Sequence, residues 1–145
     1  MSRTPLLLIL ILLIVFASCN KNDTQGHPTE LKVEKLAGSV TSWNGDTLPA
    51  YLPEQPQVTV LRITIPSGYQ LEWHKHPVIN AGVLLSGELT VISEQHDTLK
   101  LQKGDALVEL VNTWHYGINE GEVPAEIIVF YAGNKGVPVT VLKEE

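Results

Sequence analysis

The chain has a single cysteine, Cys19, so no disulfide can form within it and a hydrophobic core has to hold the fold together. It also lacks a convincing amphipathic helix. Several signatures of common chemistry are missing as well. There is no Ser-His-Asp order, no GxxxxGK[ST] phosphate loop and no dinucleotide fingerprint, so nucleophilic and nucleotide-dependent reactions lack their machinery here. Positive charge is scarce: 10 Lys and Arg against 16 Asp and Glu leave a formal net charge of -6. Such a surface repels phosphate backbones and anionic headgroups, which excludes nucleic acid as a natural partner.

The one long apolar run spans residues 6 to 16, preceded by Arg3 and followed by Ala17, Ser18 and Cys19. It is shorter than the roughly 20 residues that a spanning helix needs, and it has the length of a signal-peptide h-region. Cys19, directly after the small pair Ala17-Ser18, resembles the lipobox of bacterial lipoproteins, with ordinary secretory cleavage as the rival reading. The resemblance implies removal of residues 1 to 18, lipidation of Cys19 and stable anchoring to a bacterial membrane, facing the periplasm. Without lipidation the product would be secreted. Loss of Arg3 with the leader takes the net charge from -6 to -7, since one positive charge leaves. Residues 19 to 30 form a flexible tether, because from Asn20 onward they contain turn formers and no apolar residue to bury. Residues 31 to 145 are enough for one domain with its own core.

Within that domain, short runs rich in Val, Ile, Leu, Thr and Tyr alternate with Gly, Pro, Asn and Asp. The pattern predicts strands over residues 58 to 65, 70 to 76, 82 to 85, 88 to 93, 98 to 102, 106 to 111, 114 to 119, 125 to 132 and 137 to 142. Trp43-Asn44-Gly45-Asp46 reads as an early tight turn. Regular short strands point to an all-β, mainly antiparallel sandwich or barrel. The run from Ala125 to Tyr131 is apolar on both faces apart from Glu126, as expected where two sheets stack.

Three histidines carry the chemistry. His74 and His76 are two apart on a predicted strand, so both side chains leave the same face, and His115 follows on another strand. Neutral imidazoles ligate zinc, iron, copper and nickel, and three of them leave coordination positions open for water or substrate. The alternative is that His74 and His76 are polar residues of a solvated face. Gly68, five residues, His74, Lys75, His76, three residues, Asn80, six residues and Gly87 follow the spacing of the first cupin motif. Gly104, ten residues, His115, three residues and Asn119 follow that of the second. The chain therefore resembles the cupin superfamily over a motif core of residues 58 to 132. The resemblance implies a jelly-roll barrel (double-stranded β-helix), with His74, His76 and His115 as metal ligands at its mouth.

There are departures from the family pattern. Asn80 stands where many cupins have a glutamate ligand, and Leu110 and Asn112 replace the usual Pro and Gly. The Asn80 carbonyl can still ligate weakly, but it brings no charge. An ion held by three neutral histidines keeps its full double charge, which makes it a stronger Lewis acid and a less tightly retained one. Glu109, between Val108 and Leu110, is a candidate to accept the second ring N–H of a ligand histidine, whereas Glu72 is expected to be solvated. Asn119 is expected to line the pocket or cap its strand. His27 and His96 are expected in solvent, and Trp73, Trp114 and Tyr116 are expected to pack outside the pocket.

Two functions follow. One is a metalloenzyme of dioxygenase or isomerase type that acts on a small organic molecule, with iron the first metal to consider and manganese, nickel, copper or zinc as others. The other is a non-catalytic module that binds a small molecule or metal in the cell envelope. A homodimer through sheet edges near residues 31 to 40 and 137 to 142 is a further expectation.

Overall fold

The computed structural model describes residues 30–51 and 53–144. The apolar leader, Cys19 and the tether up to residue 29 lie outside the described residues. Residues 34 to 145 form one compact unit. Among the described residues there is no helix, and none is long and apolar enough to cross a membrane.

Nine strands follow one another: β1 (Pro56–Ile65), β2 (His74–Lys75), β3 (Ile79–Ser86), β4 (Glu88–Ser93), β5 (Thr98–Gln102), β6 (Ala106–Val108), β7 (His115–Ile118), β8 (Ala125–Asn134) and β9 (Val141–Leu142). They form two antiparallel sheets, in the orders β1-β8-β3-β6 and β5-β4-β7-β2-β9. The period-two alternation decides which residues face inward. In β3 Asn80, Gly82 and Leu84 are buried, and in β8 Ala125, Ile127, Val129 and Tyr131 are buried. Their partners across the barrel include Leu89 and Val91 of β4 and Leu101 of β5, and together these residues make the core. The two sheets closing on one interior give the double-stranded β-helix.

β4 and β5 keep the bounds that their composition predicts. β1, β3 and β8 run longer than predicted, and the remaining strands are shorter. Of residues 70 to 76, Gln70 makes an isolated bridge to Ile118 and only His74–Lys75 pair as a strand, before Pro77 removes a donor. β6 stops at Val108 because the chain swings away through Asn112, at φ 57°. Asparagine tolerates this left-handed conformation better than other side chains, which explains how it replaces the family's glycine. Its N–H donates to the His76 carbonyl at 2.8 Å, so the swing also ties the two motifs together. Residues 31 to 40 form no strand and are exposed. The outer face of β8 is open as well, with Phe130 45% exposed, so no second layer stacks there among the described residues.

The early turn forms as predicted. Thr41 and Thr47 make a bridge, and Gly45 at φ 97° donates to the Ser42 carbonyl. This hairpin docks on the end of β6, where the Trp43 N–H donates to the Val108 carbonyl at 2.9 Å.

Candidate metal centre

His74 of β2 and His115 of β7 are direct partners across the ladder, and His76 follows two residues on, so all three rings project into the barrel. Ring centroids are 4.5 Å apart for His74 and His115, and 5.1 Å for each of the other pairs. One nitrogen of each ring lies within 4.8 Å of the others, a spacing that fits a single ion.

The other ring nitrogens are held by the main chain. Nδ1 donates to the Glu72 carbonyl from His74 (2.7 Å), to the Val139 carbonyl from His76 (2.7 Å) and to the Thr113 carbonyl from His115 (2.9 Å). A carbonyl only accepts, so each Nδ1 must carry the hydrogen and each Nε2 must present a lone pair. Glu109 takes none of these hydrogens, which corrects the expectation from sequence. The reason is geometric: the carbonyl two residues before His74 and before His115 is already within reach of Nδ1.

Two buried polar atoms here have no hydrogen-bond partner, His115 Nε2 and Asn80 Oδ1. Leaving such groups unpaired costs about 1 to 3 kcal/mol each, which a divalent ion would offset by coordination. The residues thus fit a metal. Burial pushes all three imidazoles below their ordinary value, His76 to about 3, so all are neutral and able to ligate at neutral pH. Asn80 is 1% exposed, and its amide N–H donates to the Val78 carbonyl at 3.3 Å, leaving the oxygen free.

The histidines line a cavity of about 320 Å³, walled mainly by aliphatic side chains such as Ile63, Leu71, Val91, Leu107 and Ile127. Asn80, Glu109 and Tyr131 supply polar groups to this wall, and Glu72, exposed as expected, lines it too. The Glu109 carboxylate is held by the Trp43 indole N–H (2.7 Å) and the Leu110 N–H (2.8 Å), both on Oε1. Burial raises its pKa, and these two donors oppose the rise. Tyr131 is pushed up to about 12 by burial and then by the Glu109 charge, so its hydroxyl stays protonated.

Asn119 does not line the cavity. Its amide bridges the Ile65, Pro66 and Val123 carbonyls, and its oxygen accepts from the Gly121 N–H, pinning the turns after β1 and β7. His96 is exposed in the β4–β5 turn. Trp73, Trp114 and Tyr116 pack outside, where Trp73 meets Tyr116 edge-on at 4.7 Å and Lys75 lies 4.7 Å over Trp114. Sequence reasoning missed Tyr131, which sits in an apolar strand run, and Trp43, whose contact with Glu109 crosses 66 positions.

Residues 61–131 match the family profile described as the cupin domain. No curated protein matches the chain. Among solved structures, the DMSP lyase DddQ of Ruegeria pomeroyi DSS-3 superposes at a TM-score of 0.53 and 22% identity, over 59% of this chain. The match covers 43% of DddQ, so the chain spans less than half the length of that lyase. A conserved protein with a double-stranded β-helix domain from Klebsiella pneumoniae superposes at 0.52 and 20% identity, over 80% of this chain and 100% of its own. At these identities the likeness is one of fold. With the profile match over the motif core, the two-sheet barrel and the three-histidine cluster at its mouth, the chain belongs to the cupin superfamily.

Proposed function

We propose that the protein is a metal-dependent cupin in which His74, His76 and His115 ligate one divalent transition metal, with Asn80 Oδ1 as a weaker fourth donor. The cavity that these residues line admits a small organic molecule to the open coordination positions. One observation carries the reading: three main-chain carbonyls fix the tautomers so that each Nε2 presents a lone pair, in a cluster where one nitrogen of each ring lies within 4.8 Å of the others. Three imidazoles suit iron best for oxygen-dependent bond cleavage, and manganese, nickel, copper or zinc for isomerisation or hydrolysis. When bound, the ion supplies Lewis acidity or, if iron, activation of dioxygen.

The chain's own residues do the rest. Aliphatic walls exclude water, Asn80 and the histidines set the ion's position, and protonated Tyr131 offers a hydrogen bond to a ligand oxygen. With Cys19 as lipid anchor, the site operates at a bacterial membrane facing the periplasm, a placement supported by the residues around that cysteine.

Elemental analysis of protein purified without chelator tests this, beside a His76→Ala/His115→Ala double variant. About one equivalent of metal is expected in the wild type and none in the variant. Zinc at about 100 times its Kd should stabilise the metal-free wild type by about 2.7 kcal/mol and leave the variant unchanged. Absence of metal from both, even after reloading, overturns the proposal.

A further inference from the structure

The three histidines do not stand on equal supports. His74 and His115 give their Nδ1 hydrogen to carbonyls two residues back in their own segments, those of Glu72 and Thr113. Such contacts form wherever the local strand forms. His76 instead reaches the Val139 carbonyl at 2.7 Å, 63 positions along the chain, and Thr140 Oγ1 lies 3.3 Å from the same nitrogen. Its orientation therefore depends on how the C-terminal segment docks.

That docking is narrow. The segment leaves β8 through a turn closed by the Val137 N–H on the Asn134 carbonyl at 3.0 Å, passes Pro138, and pairs with β2 only at Val141 with Lys75 and Leu142 with His74. Val137 and Val139 are partly buried against the core, and beyond β9 the Lys143 N–H donates to the Trp73 carbonyl at 2.8 Å. The Lys143 ammonium lies 5.5 Å over the Trp73 ring and 5.6 Å over that of Trp114. The same segment edges the cavity: Thr140 and Leu142 line it and are exposed, as are Leu61, Tyr69 and Glu72. All three histidines are buried, so an ion needs a way past this rim.

Resting on the assignment of the three histidines as metal ligands, we propose that residues 139 to 142 are a strap that positions His76 for the ion and shapes the mouth of the cavity. Metal binding and closure of the mouth are then one coupled equilibrium. With the strap docked, the Val139 carbonyl holds the Nδ1 hydrogen of His76 and leaves Nε2 to present its lone pair. With the strap lifted, His76 loses that support while His74 and His115 keep theirs, and the mouth widens to admit the ion. An ion that needs His76 therefore holds the strap down, and by reciprocity whatever holds the strap down tightens the ion. Val139 and Thr140 are positioning residues that act through His76, and Leu142 is the apolar lip that the strap gives to the cavity.

The test uses full-length protein in detergent, with zinc as the probe. Lys143→Pro removes the N–H that ties the strap to Trp73, whereas Lys143→Ala keeps it and removes only the ammonium. Competition with a chromophoric chelator should show Lys143→Pro binding zinc about 10- to 100-fold more weakly than the wild type, with Lys143→Ala close to the wild type. In a His76→Ala background the proline should have no further effect, because the strap acts through that ring. An equal loss in both backgrounds would mean general damage to the barrel and would overturn the proposal. Hydrogen exchange gives a reading that needs no variant: chelation of the wild type should speed exchange at the amides of residues 139 to 143 and leave β4 and β5 unchanged. Unaltered exchange in the strap, or full zinc affinity in Lys143→Pro, would refute the strap and leave the metal assignment standing. Failure of the wild type to bind zinc would refute the metal assignment and the strap with it.

Discussion

Acid should unfold the metal-free protein through its histidines, and His76 gives the effect a size. Its folded value of about 3 lies below the ordinary 6.5, so the fold binds fewer protons than the unfolded chain. Stability is therefore fully present above pH 6.5 and is lost as pH falls toward 3. Each pH unit in that window is worth about 1.4 kcal/mol, so moving from about pH 7.5 to about pH 5 removes about 2 kcal/mol through His76 alone. His74 and His115 are lowered too and act in the same direction. Glu109 opposes them, because its raised pKa means the fold regains stability as pH falls through it. The wild type alone would mix these contributions. Comparison with His76→Gln isolates one: urea unfolding of both proteins after chelator treatment, at the two pH values, should show the wild type losing about 2 kcal/mol more than the variant. Equal losses, within about 0.5 kcal/mol, would refute the claim that His76 is buried in its neutral form.

Other outcomes follow from the same structure. Asn112→Gly should be neutral or slightly stabilising, whereas Asn112→Val should cost about 1 to 2 kcal/mol in urea unfolding, because a β-branched side chain resists the φ of 57° there. Cys19→Ser should abolish incorporation of radiolabelled palmitate and move the protein from the membrane fraction to the soluble one. Retention in the membrane would mean that the leader is not a lipoprotein signal.

The three-histidine cluster is legible in the sequence, because side chains on strands obey a simple parity. His74 and His76 share a face whatever the details of the sheet, and His115 falls on the neighbouring strand, directly opposite His74. The parity rule also sends Trp73, Trp114 and Tyr116 outward. Strand bounds are legible where a hairpin is tight, as in β4 and β5, and poor where pairing is long-range, as in β2 and β9. A two-residue strand leaves almost no periodic signal. Its existence depends on neighbours some 40 and 66 positions away, as in the pairings of His74 with His115 and of Lys75 with Val141.

Glu109 shows the limit most directly. An acidic residue between Val108 and Leu110 announces something unusual, and the natural reading is a partner for a histidine ring. Main-chain carbonyls hold those rings, however, and an indole from a hairpin early in the chain holds Glu109. Local sequence can determine which residue types face inward, since that depends on backbone alternation alone. Which donor reaches which acceptor depends on how distant segments dock. The sequence by itself thus determined an all-β barrel with three inward histidines, and only the tertiary structure decided their tautomers, the mainly apolar cavity they line and the indole that holds Glu109.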